Sequence, residues 1–138
     1  ILTEIETGEI DYESLAVGDD EYTQPMVRLV NAILVDAVKR GASDIHFEPE
    51  YAFMRIRYRI DGVLETVRSL HKTYMPGITV RVKVVSDMNI AETRAPQDGR
   101  LSLMLNGRPV DFRVSTQPTI YGENIVLRVL DREKSIVN

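Results

Sequence analysis

The sequence contains no cysteine and no tryptophan, and aromatic residues make up only 7% of its 138 residues. Without cysteine, the fold has no disulfide bonds and no thiolate metal site. No apolar run approaches the roughly 20 residues that a membrane-spanning helix needs. Residues 1–15 also lack the basic start and apolar stretch of a signal peptide. We therefore expect a cytoplasmic protein.

Basic residues are missing from the first 22 positions, which hold eight Asp and Glu. Residues 23–138 contain all 17 Lys and Arg against 13 Asp and Glu. We interpret residues 1–22 as an acidic linker or loosely held arm, residues 23–131 as one folded domain, and residues 132–138 as the start of a linker. The hydrophobic fraction of 43% is sufficient for one globular core.

The folded part opens with the pattern of an amphipathic helix. Apolar residues recur at helical spacing from Met26 to Val38, and Gly41 follows as a typical stop. Thr23 precedes them as a candidate N-cap. The pattern predicts a helix over about residues 24–40.

Alternating apolar and polar residues then predict strands over residues 44–48, 53–60, 63–67, 101–105, 110–114 and 125–130. Asp61-Gly62 and Asn106-Gly107 are typical of two-residue hairpin turns. Residues 90–99 and 117–123 are predicted to be a loop and a turn. Residues 77–88 fit a strand and a helix equally well. This order predicts an α+β domain with a mostly antiparallel sheet.

The Asn106-Gly107 turn also sets a register, which places Arg100 opposite Arg113. Two cations in directly opposite positions repel each other by a few tenths to about 1 kcal/mol. Two alternatives follow from this pairing. The arginines form a phosphate site, or they pair internally with Asp98 and Asp111.

Three further arginines, Arg55, Arg57 and Arg59, share one side of a predicted strand. Such a row could bind phosphates or nucleic acid, but we favour a solvated face that pairs with nearby Asp and Glu. Only Phe53 would add an aromatic ring to this side, and the isoelectric point is about 5.2. Both features argue against a nucleic-acid-binding module.

Asp44, His46 and Glu48 project together, but alternate positions on one strand rarely form a metal site by themselves. We expect no metal here, and instead a turn cap by Ser43 or Asp44 with a hydrogen-bonded His46. The sequence has no nucleophile–base pair and no G-x-x-x-x-G-K-[ST] or G-x-G-x-x-G motif. We therefore expect no catalytic residue and no tight ATP binding within this chain. A free-standing sensory domain and a nucleic-acid-binding domain are the alternatives to a domain of a larger enzyme.

Five ordered motifs resemble a known family: ASDIHFEPE (42–50), RYRIDGVL (57–64), IAETRAPQDGR (90–100), RPVDFRVST (108–116) and PTIYGENIVLRVLD (118–131). Over roughly residues 23–135 they resemble the type II secretion and type IV pilus-assembly ATPases. The similarity is to the N-terminal domain just before the RecA-like P-loop domain.

The resemblance implies a PAS-like α+β fold with flanking helices, in which residues 77–88 are helical. It also implies that the full-length protein is a cytoplasmic homohexamer, bound through partner proteins to the inner-membrane secretion or pilus platform. That protein would use ATP and Mg²⁺ to move pseudopilin or pilin subunits. The Walker motifs would lie beyond residue 138.

Site residues follow from the same resemblance. Arg100 and Arg113 match family arginines that reach the nucleotide phosphates on the ATPase domain, and Arg94 and Arg128 match further family arginines. The implied role is to contact phosphates and to couple the ATP state to domain movement. Two positions depart from the family, since Thr93 and Asn124 stand where it commonly has a basic residue.

Overall fold

The computed structural model of the chain describes residues 4–5 and 23–131. Its elements are β1 (Glu4–Ile5), α1 (Thr23–Lys39), β2 (Ala42–Pro49), β3 (Phe53–Ile60), β4 (Val63–His71), a 3₁₀ turn (Lys72–Tyr74), α2 (Met75–Val85), β5 (Gln97–Leu105), β6 (Arg108–Thr119) and β7 (Gly122–Asp131). Most of the predicted acidic arm, and the predicted linker at 132–138, lie outside the described residues. Neither helix in the described part of the chain is long and apolar enough to cross a membrane.

The strands form one sheet in the order β1-β5-β6-β7-β2-β3-β4. Strands β2 to β7 pair in an antiparallel manner, whereas the two-residue β1 runs parallel to the end of β5. The predicted α+β class and mostly antiparallel sheet are therefore confirmed. Strand β7 lies between β6 and β2, so it joins the β5–β6 hairpin to the β2–β3–β4 meander.

One face of the sheet forms the core with both helices. Its buried side chains alternate along β3, β5 and β6 and along most of β2 and β7, as in Leu101 and Leu103 on β5 or Ile45 and Phe47 on β2. Tyr58 fixes α1 to this face, because its hydroxyl donates to the Ile33 carbonyl at 3.1 Å and lies 2.9 Å from an Asp36 carboxylate oxygen. The alternate positions carry the polar side chains to the opposite face.

Both predicted hairpin turns are confirmed. Their central residues have positive φ angles, 52° and 81° at Asp61-Gly62 and 54° and 75° at Asn106-Gly107. These values are typical of type I′ turns, which match the twist of the flanking strands. The tight β5–β6 turn leaves no freedom in the register of that hairpin.

The ambiguous segment 77–88 contains a helix. Ile78 and Val82 are buried while Val80 and Val84 are exposed, a pattern with the four-residue period of a helix. Packing of this apolar side against the core therefore overrides the strand preference of the β-branched residues.

Three predicted boundaries are wrong. Strand β4 continues to His71, and β5 begins at Gln97 inside the segment predicted as a loop. The predicted turn at 117–123 is mostly strand, since the β6–β7 ladder continues to the Thr119–Gly122 pair. The physical reason is the same in each case: backbone pairing with a neighbouring strand extends the strand through residues of low strand propensity.

Candidate functional site

Three arginines lie side by side on the polar face of the sheet. The β5–β6 ladder places Arg100 directly opposite Arg113, as predicted. The β6–β7 ladder then places Arg113 directly opposite Arg128. Because adjacent strands are about 4.8 Å apart, the three side chains start from one line across three strands. The Asn106-Gly107 turn predicted the first pairing, whereas the second follows from the tight β6–β7 hairpin, whose register the sequence did not predict.

The same line continues onto β2, where Asp44 is the partner of Arg128. The Asp44 carboxylate is 8% exposed, and its Oδ1 accepts a hydrogen bond from Arg128 Nε at 3.1 Å. Its Oδ2 accepts one from the Ser43 hydroxyl at 2.8 Å and lies 3.9 Å from Arg59 Nε. Asp44 therefore interacts with one arginine on each neighbouring strand.

Arg100 and Arg113 differ from Arg128, because neither makes an ion pair or hydrogen bond with its side chain in the described part of the chain. The predicted internal pairing of these two arginines with Asp98 and Asp111 is not formed. Asp111 instead accepts a 2.6 Å hydrogen bond from Ser102. Two exposed guanidinium groups thus lie next to each other without a carboxylate between them.

The arginines line a groove of about 620 Å³, with walls formed by Asp44, Asp98, Gly99, Arg100, Arg113, Val114, Ser115, Val126 and Arg128. Three guanidinium groups face two carboxylates in it, and one of those carboxylates is already paired. Guanidinium groups bind phosphate and carboxylate oxygens through two parallel hydrogen bonds. The groove therefore has the chemistry of an anion site.

Arg94 lies outside this groove. It is exposed in the loop between α2 and β5, where the Glu92 carboxylate accepts hydrogen bonds from the backbone N–H groups of Arg94 and Ala95. Of the four arginines named from the sequence, the structure thus brings together Arg100, Arg113 and Arg128.

The Arg55, Arg57 and Arg59 row is paired internally, as predicted. Arg55 lies 3.9 Å from Glu48 and 3.7 Å from Glu50, and Arg57 lies 3.5 Å from Glu48. Arg59 lies near Asp44 and donates to the Gly62 carbonyl at 3.0 Å. These arginines balance the acidic residues of β2, so the row does not provide a free basic surface for nucleic acid.

His46 lies between Asp44 and Glu48, but its predicted hydrogen bond is not formed, because Nδ1 is 3.7 Å from the Glu48 carboxylate. Burial lowers the pKa of His46, and this outweighs the attraction of Glu48 and Asp44, which raises it. No group of three or more His, Asp or Glu side chains among residues 4–5 and 23–131 is arranged to hold a metal ion.

A buried ion pair was not predicted from the sequence. Lys83 Nζ on α2 lies 2.7 Å from Glu123 Oε2 on β7 and donates to the Glu92 carbonyl at 2.6 Å. The pair lines a second groove of about 610 Å³, whose rim includes Tyr51 and Tyr121. A lysine flanked by Val82, Val84 and Val85 was the only sequence signal for it. The pair joins α2, β7 and the loop that carries Arg94.

A protein-family model described as Type II/IV secretion system protein matches residues 19–138. The type II secretion system protein E of Aeromonas hydrophila is 50% identical over 120 residues, which cover 87% of this chain and 24% of the relative. The type II secretion system ATPase E of Vibrio cholerae is 46% identical over 120 residues, with the same two coverages. The chain thus spans about a quarter of the length of these curated relatives.

Among solved structures, the pilus retraction motor PilT with bound ADP matches with a TM-score of 0.53 and 20% sequence identity. The match covers 72% of this chain and 28% of that one. At this identity, the likeness shows a shared fold.

Proposed function

The chain belongs to the family of type II/IV secretion system proteins, and we propose that it is the domain preceding the P-loop ATPase domain in a motor for type II secretion or type IV pilus assembly. The family predicted from the five motifs is confirmed. In this proposal, Arg100 and Arg113 contact the phosphates of ATP bound by the following domain. The observation that supports it is the groove, in which these two cations lie side by side without carboxylate partners among the described residues.

Phosphoryl transfer gains its rate from positioning and from neutralising charge on the transferred phosphate, and a single arginine can contribute about 10³–10⁵-fold. An arginine acts in this way when a rigid element holds it and can carry it to the phosphate. Here the two side chains start from paired positions of a hydrogen-bonded hairpin, so the sheet fixes their separation. ATP, with Mg²⁺, would be bound mainly by the longer protein.

The same contact would couple nucleotide state to movement. A domain that touches the terminal phosphate has a higher affinity for the ATP-bound than for the ADP-bound partner, and this difference shifts the equilibrium between closed and open arrangements. We propose that the longer protein assembles as a cytoplasmic homohexamer at the inner-membrane platform. In that assembly, this domain would contact its own ATPase domain and neighbouring subunits.

Turnover by the full-length protein tests the proposal. Arg100→Ala and Arg113→Ala should each lower kcat by about a hundredfold or more, as expected for the loss of a group that stabilises charge in the transition state. Arg55→Ala is the matched control, because Arg55 is on the same face but pairs with Glu48 and Glu50 outside the groove. Normal turnover in both groove variants, or an equal loss in the control, would contradict the proposal.

A further inference from the structure

The third arginine of the groove is held differently from the other two. Arg128 is hydrogen-bonded to Asp44 at 3.1 Å, although its side chain is 66% exposed. An exposed guanidinium is mostly hydrated and can turn towards a new partner at little cost, and an ion pair of this kind is weak. Arg128 is therefore paired without being locked in place.

The carboxylate of Asp44, by contrast, is almost completely buried and has more than one partner. If Arg128 turned away, Oδ2 would keep its 2.8 Å hydrogen bond from Ser43 and its 3.9 Å contact with Arg59. A buried carboxylate left without any partner would be unfavourable, but this one would retain two. The Asp44–Arg128 pair can therefore open without leaving an isolated buried charge.

We propose that Asp44 is a positioning residue that holds Arg128 while the groove contains no phosphate and releases it to an entering polyphosphate. This inference rests on the proposed function, since it concerns the phosphate groove. Arg100 and Arg113 attract the phosphate chain first, because neither forms an ion pair within the described part of the chain. Arg128 then exchanges the single Asp44 oxygen for phosphate oxygens, with which its guanidinium forms two parallel hydrogen bonds. Asp44 thus restricts full occupancy of the groove to anions charged strongly enough to compete with a carboxylate.

The test is the binding of inorganic tripolyphosphate to the 138-residue chain, measured by calorimetry at constant ionic strength. Asp44→Asn removes the charge but keeps the shape of the side chain. Asp98→Asn is the matched control, because Asp98 also lines the groove but has no partner among the described residues. Both changes raise affinity by removing a nearby negative charge. The gain for Asp44→Asn should exceed that for Asp98→Asn by about two- to fivefold, the value of releasing an ion pair whose arginine is exposed.

The double variant shows whether Arg128 carries this effect. In an Arg128→Ala background, the gain from Asp44→Asn should fall to that from Asp98→Asn. Equal gains from Asp44→Asn and Asp98→Asn in the original chain, or an excess that persists without Arg128, would overturn the inference alone. If the original chain does not bind tripolyphosphate and Arg100→Ala leaves the turnover of the full-length protein unchanged, both the inference and the proposed function are wrong.

A second measurement avoids any dependence on the folding of the Asp44 variant. In the unmodified chain, the Nε–H resonance of Arg128 reports its hydrogen bond to Asp44. Tripolyphosphate should shift this resonance, while that of Arg59 should stay close to its original position. An Arg128 resonance that does not move at saturation would overturn the inference.

Discussion

Replacing Lys83 by methionine should strongly destabilise the domain, because it leaves a buried carboxylate without its cation. Lys83 and Glu123 are 1% and 7% exposed, and their charged atoms lie 2.7 Å apart. The other oxygen of Glu123 is buried and has no hydrogen-bond partner among the described residues, and within them Lys83 alone compensates the charge. Removing one member of such a pair costs about 3–5 kcal/mol. Because a domain is usually stable by about 5–15 kcal/mol, this loss is a large fraction of the total.

The matched control removes both charges. Lys83→Met combined with Glu123→Leu fills the same space with apolar side chains, a replacement that is often neutral or stabilising for buried pairs. The double variant should therefore recover most of the lost stability. Urea unfolding of the chain followed by circular dichroism gives the free energy of unfolding for each variant. A loss below about 1 kcal/mol for Lys83→Met, or a double variant no more stable than the single one, refutes this reasoning.

Three further predictions concern other parts of the molecule. Because burial lowers the pKa of His46 below 6.5, the unfolded state binds the proton more tightly, so stability should fall as the pH drops through 6.5 and be level above it. His46→Gln should remove this dependence in unfolding measurements at a series of pH values. A Cβ at Gly99 would lie 2.5 Å from the Ser86 carbonyl oxygen, so Gly99→Ala should cost about 1–3 kcal/mol in urea unfolding, and a change within error would contradict the close approach. The isolated chain should not hydrolyse ATP, and phosphate release that survives Arg100→Ala would show that this expectation is wrong.

The sequence predicted those parts of the fold that depend on neighbours along the chain. Asn106-Gly107 forms the type I′ turn that these two residues favour. The register of the hairpin that follows from this turn places Arg100 opposite Arg113. The cluster was incomplete at that stage, because residues 117–123 were predicted as a turn, whereas the β6–β7 hairpin pairs as far as Thr119–Gly122 and so places Arg128 opposite Arg113. The pairing of β7 with β2, which brings Arg128 to Asp44, links residues 84 positions apart, and no local pattern specifies it.

The same limit explains what the residue patterns alone left open or missed. In segment 77–88, Ile78 and Val82 fit either period, and only packing on the core decides between them. Lys83 meets Glu123 across 40 positions of sequence, so neither residue alone indicates a buried pair. The local charge pattern was sufficient for the Arg55 row, because Glu48 and Glu50 lie on the strand and turn directly before it.

We propose that Arg100 and Arg113 have no ion-pair partners among the described residues because they bind an external anion. The most direct test is the melting temperature of the chain and of its Arg100→Ala and Arg113→Ala variants, with tripolyphosphate and with sodium chloride at equal ionic strength. In chloride, the variants should melt within about 2 °C of the original chain or slightly higher, because one of two repelling cations is gone. Tripolyphosphate should raise the melting temperature of the original chain and have much less effect on the variants. A loss of several degrees in chloride, with equal stabilisation of all three proteins by tripolyphosphate, would show that the arginines serve the fold and not an anion.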